Sequence, residues 1–219
     1  MTQPVAIVVG AGPGISLAVA RRFGREGWQV ALVARRREAL DEYVTGLAQD
    51  GISAQGFTAD GADFEGLKQT LVQIQQEMGA PTVLVYNVMA PVTGTPMTQQ
   101  AEDVIAAMRG NLGGAIVATQ AVVEHMAAGS SLLFTGGGLA LTPHPRYAGL
   151  AVGKAALRNW VFSLAAELKP RGIHAATVTV AGFVKPDTPF DPNRIADAYW
   201  ELHQQSPDQW QTEIVFDGQ

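Results

Sequence analysis

Cysteine is missing from the 219-residue chain. That excludes disulfides, thiolate metal sites and a cysteine nucleophile, and it fits a reducing compartment. Charge is sparse as well: only 16% of residues are charged, with 15 Lys and Arg against 20 Asp and Glu. A net charge of −5 leaves no basic surplus to displace counterions from a nucleic acid or to hold an anionic membrane surface. The one basic run, Arg35-Arg36-Arg37, is too local to change this. No uncharged stretch approaches the roughly 18 apolar residues of a membrane span, and no basic-then-apolar leader precedes the first strand. The expected location is the cytoplasm. Low-complexity segments, linkers and short-period repeats are also missing. What the chain does have is 47% hydrophobic residues and 24 glycines, enough for one large core, so a single domain over residues 1–219 is expected.

The stretch from Val5 to Ser16 is an apolar run that ends in Gly10, Gly12 and Gly14 and leads into an amphipathic segment. A continuous Val/Ile run reads as a buried parallel strand, and glycines after it let the backbone turn sharply and approach a ligand closely. The following helix would aim unpaired N–H groups at that turn, which makes a phosphate site. An ordinary strand-to-helix connection is the plainer reading. Leu17, Val19, Ala20 and Phe23 then recur at helical spacing, and Gln29 to Val33 resumes as a strand, so the unit is β-α-β.

In such a unit the end of the second strand lies beside an adenosine ribose, where an acid would bind the ribose hydroxyls. Here the residues are Ala34, Arg35, Arg36 and Arg37, with no acid before Glu38. An arginine fork suits a 2′-phosphate, so Arg35 predicts NADP(H) over NAD(H), while Arg36 or Arg37 serves to solvate the next helix.

Further on, helices are expected over about 38–49 and 64–78, with strands near 53–58 and 82–86. Asp60 is read both as an adenine contact and as the N-cap of the helix from Phe64. From Thr98 to His125 the pattern is helical, broken by Gly110-Asn111-Leu112-Gly113-Gly114, for which close packing and function are equal explanations. Strands are expected at 131–135, 174–180 and 212–216, a long helix from Tyr147 to Lys169, and a short helix opened by Asp191-Pro192. Seven strands alternating with six helical segments predict an α/β, Rossmann-type doubly wound parallel sheet with helices on both faces. The ligand edge is then the carboxyl end of the strands.

With these motifs in order, the chain resembles the short-chain dehydrogenase/reductase family across its length. Gly10, Gly12, Gly14 and Ile15 are similar to that family's cofactor turn, with Ser16 where a last glycine is usual. Asn87 matches its Asn-Asn-Ala-Gly stretch, Asn111 resembles the asparagine that bends the fourth helix and serves a proton relay, and Lys154 resembles the catalytic lysine. Ala181-Gly182 stands where a Pro-Gly turn is usual. The resemblance implies a nicotinamide held by Asn87, Lys154 and the backbone near Gly182 and Val184, a small carbonyl-like substrate, and a homodimer or homotetramer paired through helices 98–125 and 147–169.

The same resemblance implies a serine and a tyrosine that hold the substrate carbonyl, the tyrosine four residues before the lysine on one helix face. Those places hold Gly137 and Leu150. Tyr147, two helical turns before Lys154, and His144, between two prolines, are the candidate replacement donors. Tyr86 and Thr135 carry hydroxyls at strand ends, more simply read as satisfying local backbone groups. Two functions follow: an NADP(H)-dependent oxidoreductase with an atypical proton donor, or a catalytically silent NADP(H)-binding sensor or structural subunit.

Overall fold

The strands form where Val, Ile, Leu and Ala crowd into short runs that bury both faces. In the computed structural model, which describes residues 3–219, they are β1 (Val5–Val9), β2 (Gln29–Ala34), β3 (Ala54–Thr58), β4 (Pro81–Tyr86), β5 (Ser131–Gly137), β6 (His174–Val180) and β7 (Glu213–Phe216). All pair in parallel, in the order β3-β2-β1-β4-β5-β6-β7. The helices are α1 (Ile15–Arg25), α2 (Arg37–Gln49), α3 (Phe64–Met78), α4 (Ala101–Met108), α5 (Gly114–Val123), α6 (Ala148–Leu168) and α7 (Pro192–Gln204).

Successive side chains of β1 point to opposite faces and so enter two separate cores. Ala6 and Val8 join Phe23, Leu40, Leu47, Ile195 and Leu202 under α1, α2 and α7. Val5, Ile7 and Val9 join Leu67, Leu71, Leu157 and Val161 under α3, α5 and α6. This two-sided cover is the expected doubly wound architecture. The strand order reverses between β1 and β4, which opens a crevice at their carboxyl ends.

The structure corrects three expectations about local structure. The segment 98–125 is not one helix: α4 and α5 are separated by a π-helical turn at Arg109–Gly113. Close packing explains its glycines, since a Cβ on Gly114 would collide with Gly61 and the Tyr86 hydroxyl, and one on Gly113 with the Phe64 ring. The N-cap of α3 is Asp63, which accepts from the Gly66 N–H, and not Asp60. Instead, Asp60 accepts from the Ala62 N–H at 2.9 Å, closing a turn ahead of the helix. Helix α6 begins at Ala148, so Tyr147 is its N-cap residue, preceded by a 3-10 turn over Pro145–Tyr147. Asp191 does cap α7, accepting from the Asn193 N–H, with Pro192 in the first turn and Ile195, Tyr199 and Leu202 buried.

Candidate functional site

The crevice at the strand reversal is a cleft of about 740 Å³, walled by Gly10–Pro13, Val33–Arg36, Ala59–Ala62, Asn87–Pro91 and Gly110 among others. Its floor is the glycine turn. The Gly10 and Ala11 N–H groups both donate to the Val33 carbonyl at 2.9 Å, and this holds Gly10 at φ +88°. A side chain there would meet the backbone of Asn87 and Val88 at 2.8 Å, so only glycine fits. Gly12 and Gly14 differ, because a Cβ on either would meet nothing within 4 Å. Their bare side faces open space. Among the described residues, the N–H groups of Gly12, Gly14, Ile15 and Ser16 make no hydrogen bond, and α1 has neither a side-chain cap nor an acid in its first turn. A helix N-terminus left this open attracts an anion.

Ser16, the residue that departs from the glycine pattern, stitches the turn together. Its buried Oγ donates to the Gly10 carbonyl at 2.8 Å and accepts from Asn87 Nδ2 at 2.7 Å, while the Asn87 N–H donates to Val9 at 2.8 Å. The end of β4 is thereby locked to the turn after β1. Asn87 was legible as a cofactor contact, whereas its anchoring bond was not. The departure at Ser16 was the available signal.

Arg35 and Arg36 stand exposed on the β2 wall and, among the described residues, form no ion pair. Arg37 instead pairs with Asp41 on its own helix at 2.9 Å. Asp60, just beyond the end of neighbouring β3, lines the same cleft.

On the other side of the reversal, Lys154 is buried against β5 and its Nζ donates to the Thr135 carbonyl at 2.7 Å. Burial lowers its pKa to about 8. An ammonium has three donors and this one has a single partner among the described residues, so it has donors to spare. Gly137 lies against its stem, where a Cβ would sit 3.5 Å from Lys154 Cγ, and half-buried Leu150 precedes it by one turn of α6. Asn111 packs on the residue before Lys154: a Cβ on Gly153 would be 3.0 Å from Asn111 Nδ2. Both ends of that amide are taken, Oδ1 accepting from the Ala90 N–H at 2.7 Å and Nδ2 donating to the Ala90 carbonyl at 2.9 Å. Asn111 therefore pins the loop after β4 to the π-turn.

The hydroxyl candidates are already engaged. Tyr86 donates to the Gly110 carbonyl at 2.6 Å, and burial, with Asp60 nearby, pushes its pKa up. Thr135 Oγ1 pairs with the buried Tyr199 hydroxyl at 2.6 Å, so its partner is a side chain and not the local backbone. His144 and Tyr147 are exposed on the loop after β5, with His144 Nδ1 accepting from the Arg146 N–H. Gly182 and Val184 are exposed on the loop after β6, Gly182 beneath the Phe190 ring. The structure thus gathers Gly10, Gly12, Arg35, Asp60 and Asn87 around the cleft, with Gly14 and Ile15 at the helix end beside it. Asn111 and Lys154 form a second group. His144, Tyr147, Gly182 and Val184 lie outside the cleft wall.

Known proteins share this fold. The short chain dehydrogenase family matches residues 4–196. An oxidoreductase, asL5, of Sarocladium schorii is 30% identical over 186 residues, which cover 83% of this chain and 72% of that protein. Dehydrogenase/reductase SDR family member 4 of Homo sapiens is 30% identical over 179 residues, 79% of this chain and 63% of its own. The chain spans about two thirds of the length of these curated relatives. Among solved structures, a short chain dehydrogenase from Burkholderia cenocepacia J2315 in complex with NADP superposes with a TM-score of 0.89 at 25% identity, covering 99% of this chain and 97% of that one. A dehydrogenase/reductase from Sinorhizobium meliloti 1021 reaches 0.90 at 24% identity, covering 100% and 95%. With its fold, its glycine turn and the match over residues 4–196, the chain belongs to the short-chain dehydrogenase family of oxidoreductases.

Proposed function

We propose that this protein binds NADP(H) in the cleft and reduces or oxidises a small carbonyl-like molecule with an atypical proton donor. The observation that carries the reading is the open glycine turn, with four N–H groups that make no hydrogen bond among the described residues, at a cleft also lined by Arg35 and Arg36. The fit is chemical: bare glycines let a diphosphate approach, the N–H groups receive it, and the Arg35 fork matches a 2′-phosphate. Asp60 is placed to accept from the adenine amino group. Lys154, with donors to spare, is suited to ribose hydroxyls, and the backbone near Gly182 and Val184 to the carboxamide. When bound, the nicotinamide supplies or takes up a hydride at a carbonyl carbon, balanced by one proton at the carbonyl oxygen.

Gly137 and Leu150 give that proton no donor at the places where the family's serine and tyrosine are expected. His144 and Tyr147, on the loop that follows β5, are the candidates to supply it, and Asn111 would serve a relay to Lys154. Gly137 and Leu150 favour a second reading, a silent NADP(H)-binding sensor or structural subunit. Purified protein offered NADPH with a panel of aldehydes, ketones, imines and enones separates the two. Consumption of NADPH supports the enzyme, whereas tight binding with no turnover across the panel supports the silent protein. We further propose one dinucleotide-binding domain over 1–219, a cytoplasmic location, and a homodimer or homotetramer joined through the helices spanning 98–125 and 147–169.

A further inference from the structure

The carboxyl edge of the sheet is divided by charge. Its β1-β2-β3 side carries Arg35, Arg36 and Asp60, all at the cleft. Its other side is built by the loops that leave β4, β5 and β6, three strands that are neighbours in the sheet. These loops meet one another: a Cβ on Gly149 at the start of α6 would touch Val92 at 2.6 Å, and one on Gly138 would touch Ala181 at 2.9 Å. Residues 88–101, 136–145 and 181–184 contain no Asp, Glu, Lys or Arg. They expose instead Met97 (92%), Phe183 (85%) and Leu141 (44%), while Met89 (56%) reaches the cleft wall. Charged residues begin only at the outer ends of the loops, with Glu102, Arg146 and Lys185.

Large apolar side chains from three separate segments, turned outward at one edge, mark a binding surface. A carboxylate or phosphate seated there would find neither Lys nor Arg within those stretches to pair with, whereas aryl or alkyl bulk meets matching apolar surface. The loop beyond β6 does not supply one by folding over. Residues 185–191 form a closed turn, with Lys185 N–H donating to the Phe190 carbonyl, Thr188 Oγ1 to the Lys185 carbonyl at 2.7 Å, and the Asp187 N–H to Asp191 Oδ2 at 2.8 Å.

We propose that the substrate is an uncharged, apolar carbonyl compound with aryl or alkyl bulk, seated on the Met97, Leu141 and Phe183 rim, and that carboxylated and phosphorylated carbonyls are rejected. This rests on the hydride-transfer reading above. The test measures binding of benzylacetone and of its ring para-carboxylate by ligand-observed NMR, with and without saturating NADP+, on protein whose NADPH affinity has been determined by fluorescence. Benzylacetone should bind at least tenfold more tightly than its carboxylate. Leu141→Asp and Met97→Asp should each weaken benzylacetone at least fivefold and leave NADPH affinity within twofold. Equal binding of the pair, or no binding of benzylacetone, overturns the proposal. So does unchanged benzylacetone binding in both variants accompanied by a change of oligomeric state in light scattering, which would make the rim a face between copies of this chain. Loss of NADPH binding in the unmodified protein, with benzylacetone still preferred, would instead sink the dinucleotide reading alone.

Discussion

Gly10 shows how a single residue can be irreplaceable. Its φ of +88° and the backbone of Asn87 2.8 Å from where a Cβ would stand combine strain with collision. Gly10→Ala should cost about 2 kcal/mol or more in urea unfolding and weaken NADPH at least tenfold. Arg35→Ala tests charge alone: it should weaken NADPH tenfold or more while leaving NADH within about threefold, measured at equal salt. Lys154 makes a pH argument. Its folded pKa of about 8 lies below the usual 10.5, because burial opposes the ammonium. Between those values the unfolded chain holds a proton that the folded chain has shed, so the group's contribution to stability rises with pH across that window. The stability of the natural protein relative to Lys154→Met should therefore rise from pH 8 to 10.5 and stay flat below pH 8, as read by urea midpoints. These residues were legible because glycine, arginine and lysine at these places each have a narrow use. Ser16 and Tyr199 were not, since the hydrogen bonds that recruit them reach across the chain to Asn87 and Thr135.

At the scale of elements, the strands could be read from apolar runs, and the structure places them within two residues of the expected bounds. Helix α7 was equally plain from its Asp-Pro start. Helix ends were harder. Asp60 and Asp63 are both able to cap α3, and only the geometry of the turn at Gly61 selects Asp63. The π-turn at Arg109–Gly113 was visible as a glycine cluster, but its form follows from Gly61, Phe64 and Tyr86, which pack on it from elsewhere in the chain. Asp63→Ala should cost about 1 kcal/mol in thermal or urea unfolding.

The junction of α7 with β6 has its own pH signature. Buried His174 places Nδ1 2.9 Å from the Leu202 carbonyl and Nε2 2.8 Å from the Gln211 carbonyl, stacked on Trp210. His203 bonds to Ser131 through Nδ1. Burial lowers both pKa values, that of His203 to about 4 with His174 adding to it. As pH falls from 6.5 toward 4 the unfolded chain takes up a proton at His203 that the folded chain refuses, so stability is lost over that window. The melting temperature should fall across it, and His203→Asn should flatten the slope.

For the whole molecule, the doubly wound parallel sheet was legible from seven strands alternating with helices, because right-handed crossovers put helices on both faces; the order of the strands comes from the structure. How copies associate is a different matter, since a sequence does not say which exposed face meets another. The helices expected to pair expose the apolar side chains Ile105 on α4 and Val152 and Phe162 on α6, the last with the Arg158 guanidinium 4.6 Å over its ring. Light scattering at micromolar concentration should give a dimer or tetramer, and Ile105→Glu with Phe162→Glu should give monomers that still bind NADPH.

The Ser16 stitch between Gly10 and Asn87 has a consequence for speed. A turn already fastened on both sides has surrendered its freedom during folding, so a ligand arriving there has little left to freeze. Association should then proceed in one kinetic phase, with a rate proportional to ligand concentration and no plateau from a slow rearrangement. Cutting the stitch with Ser16→Ala would transfer that ordering to the encounter itself, and the on-rate would bear the cost.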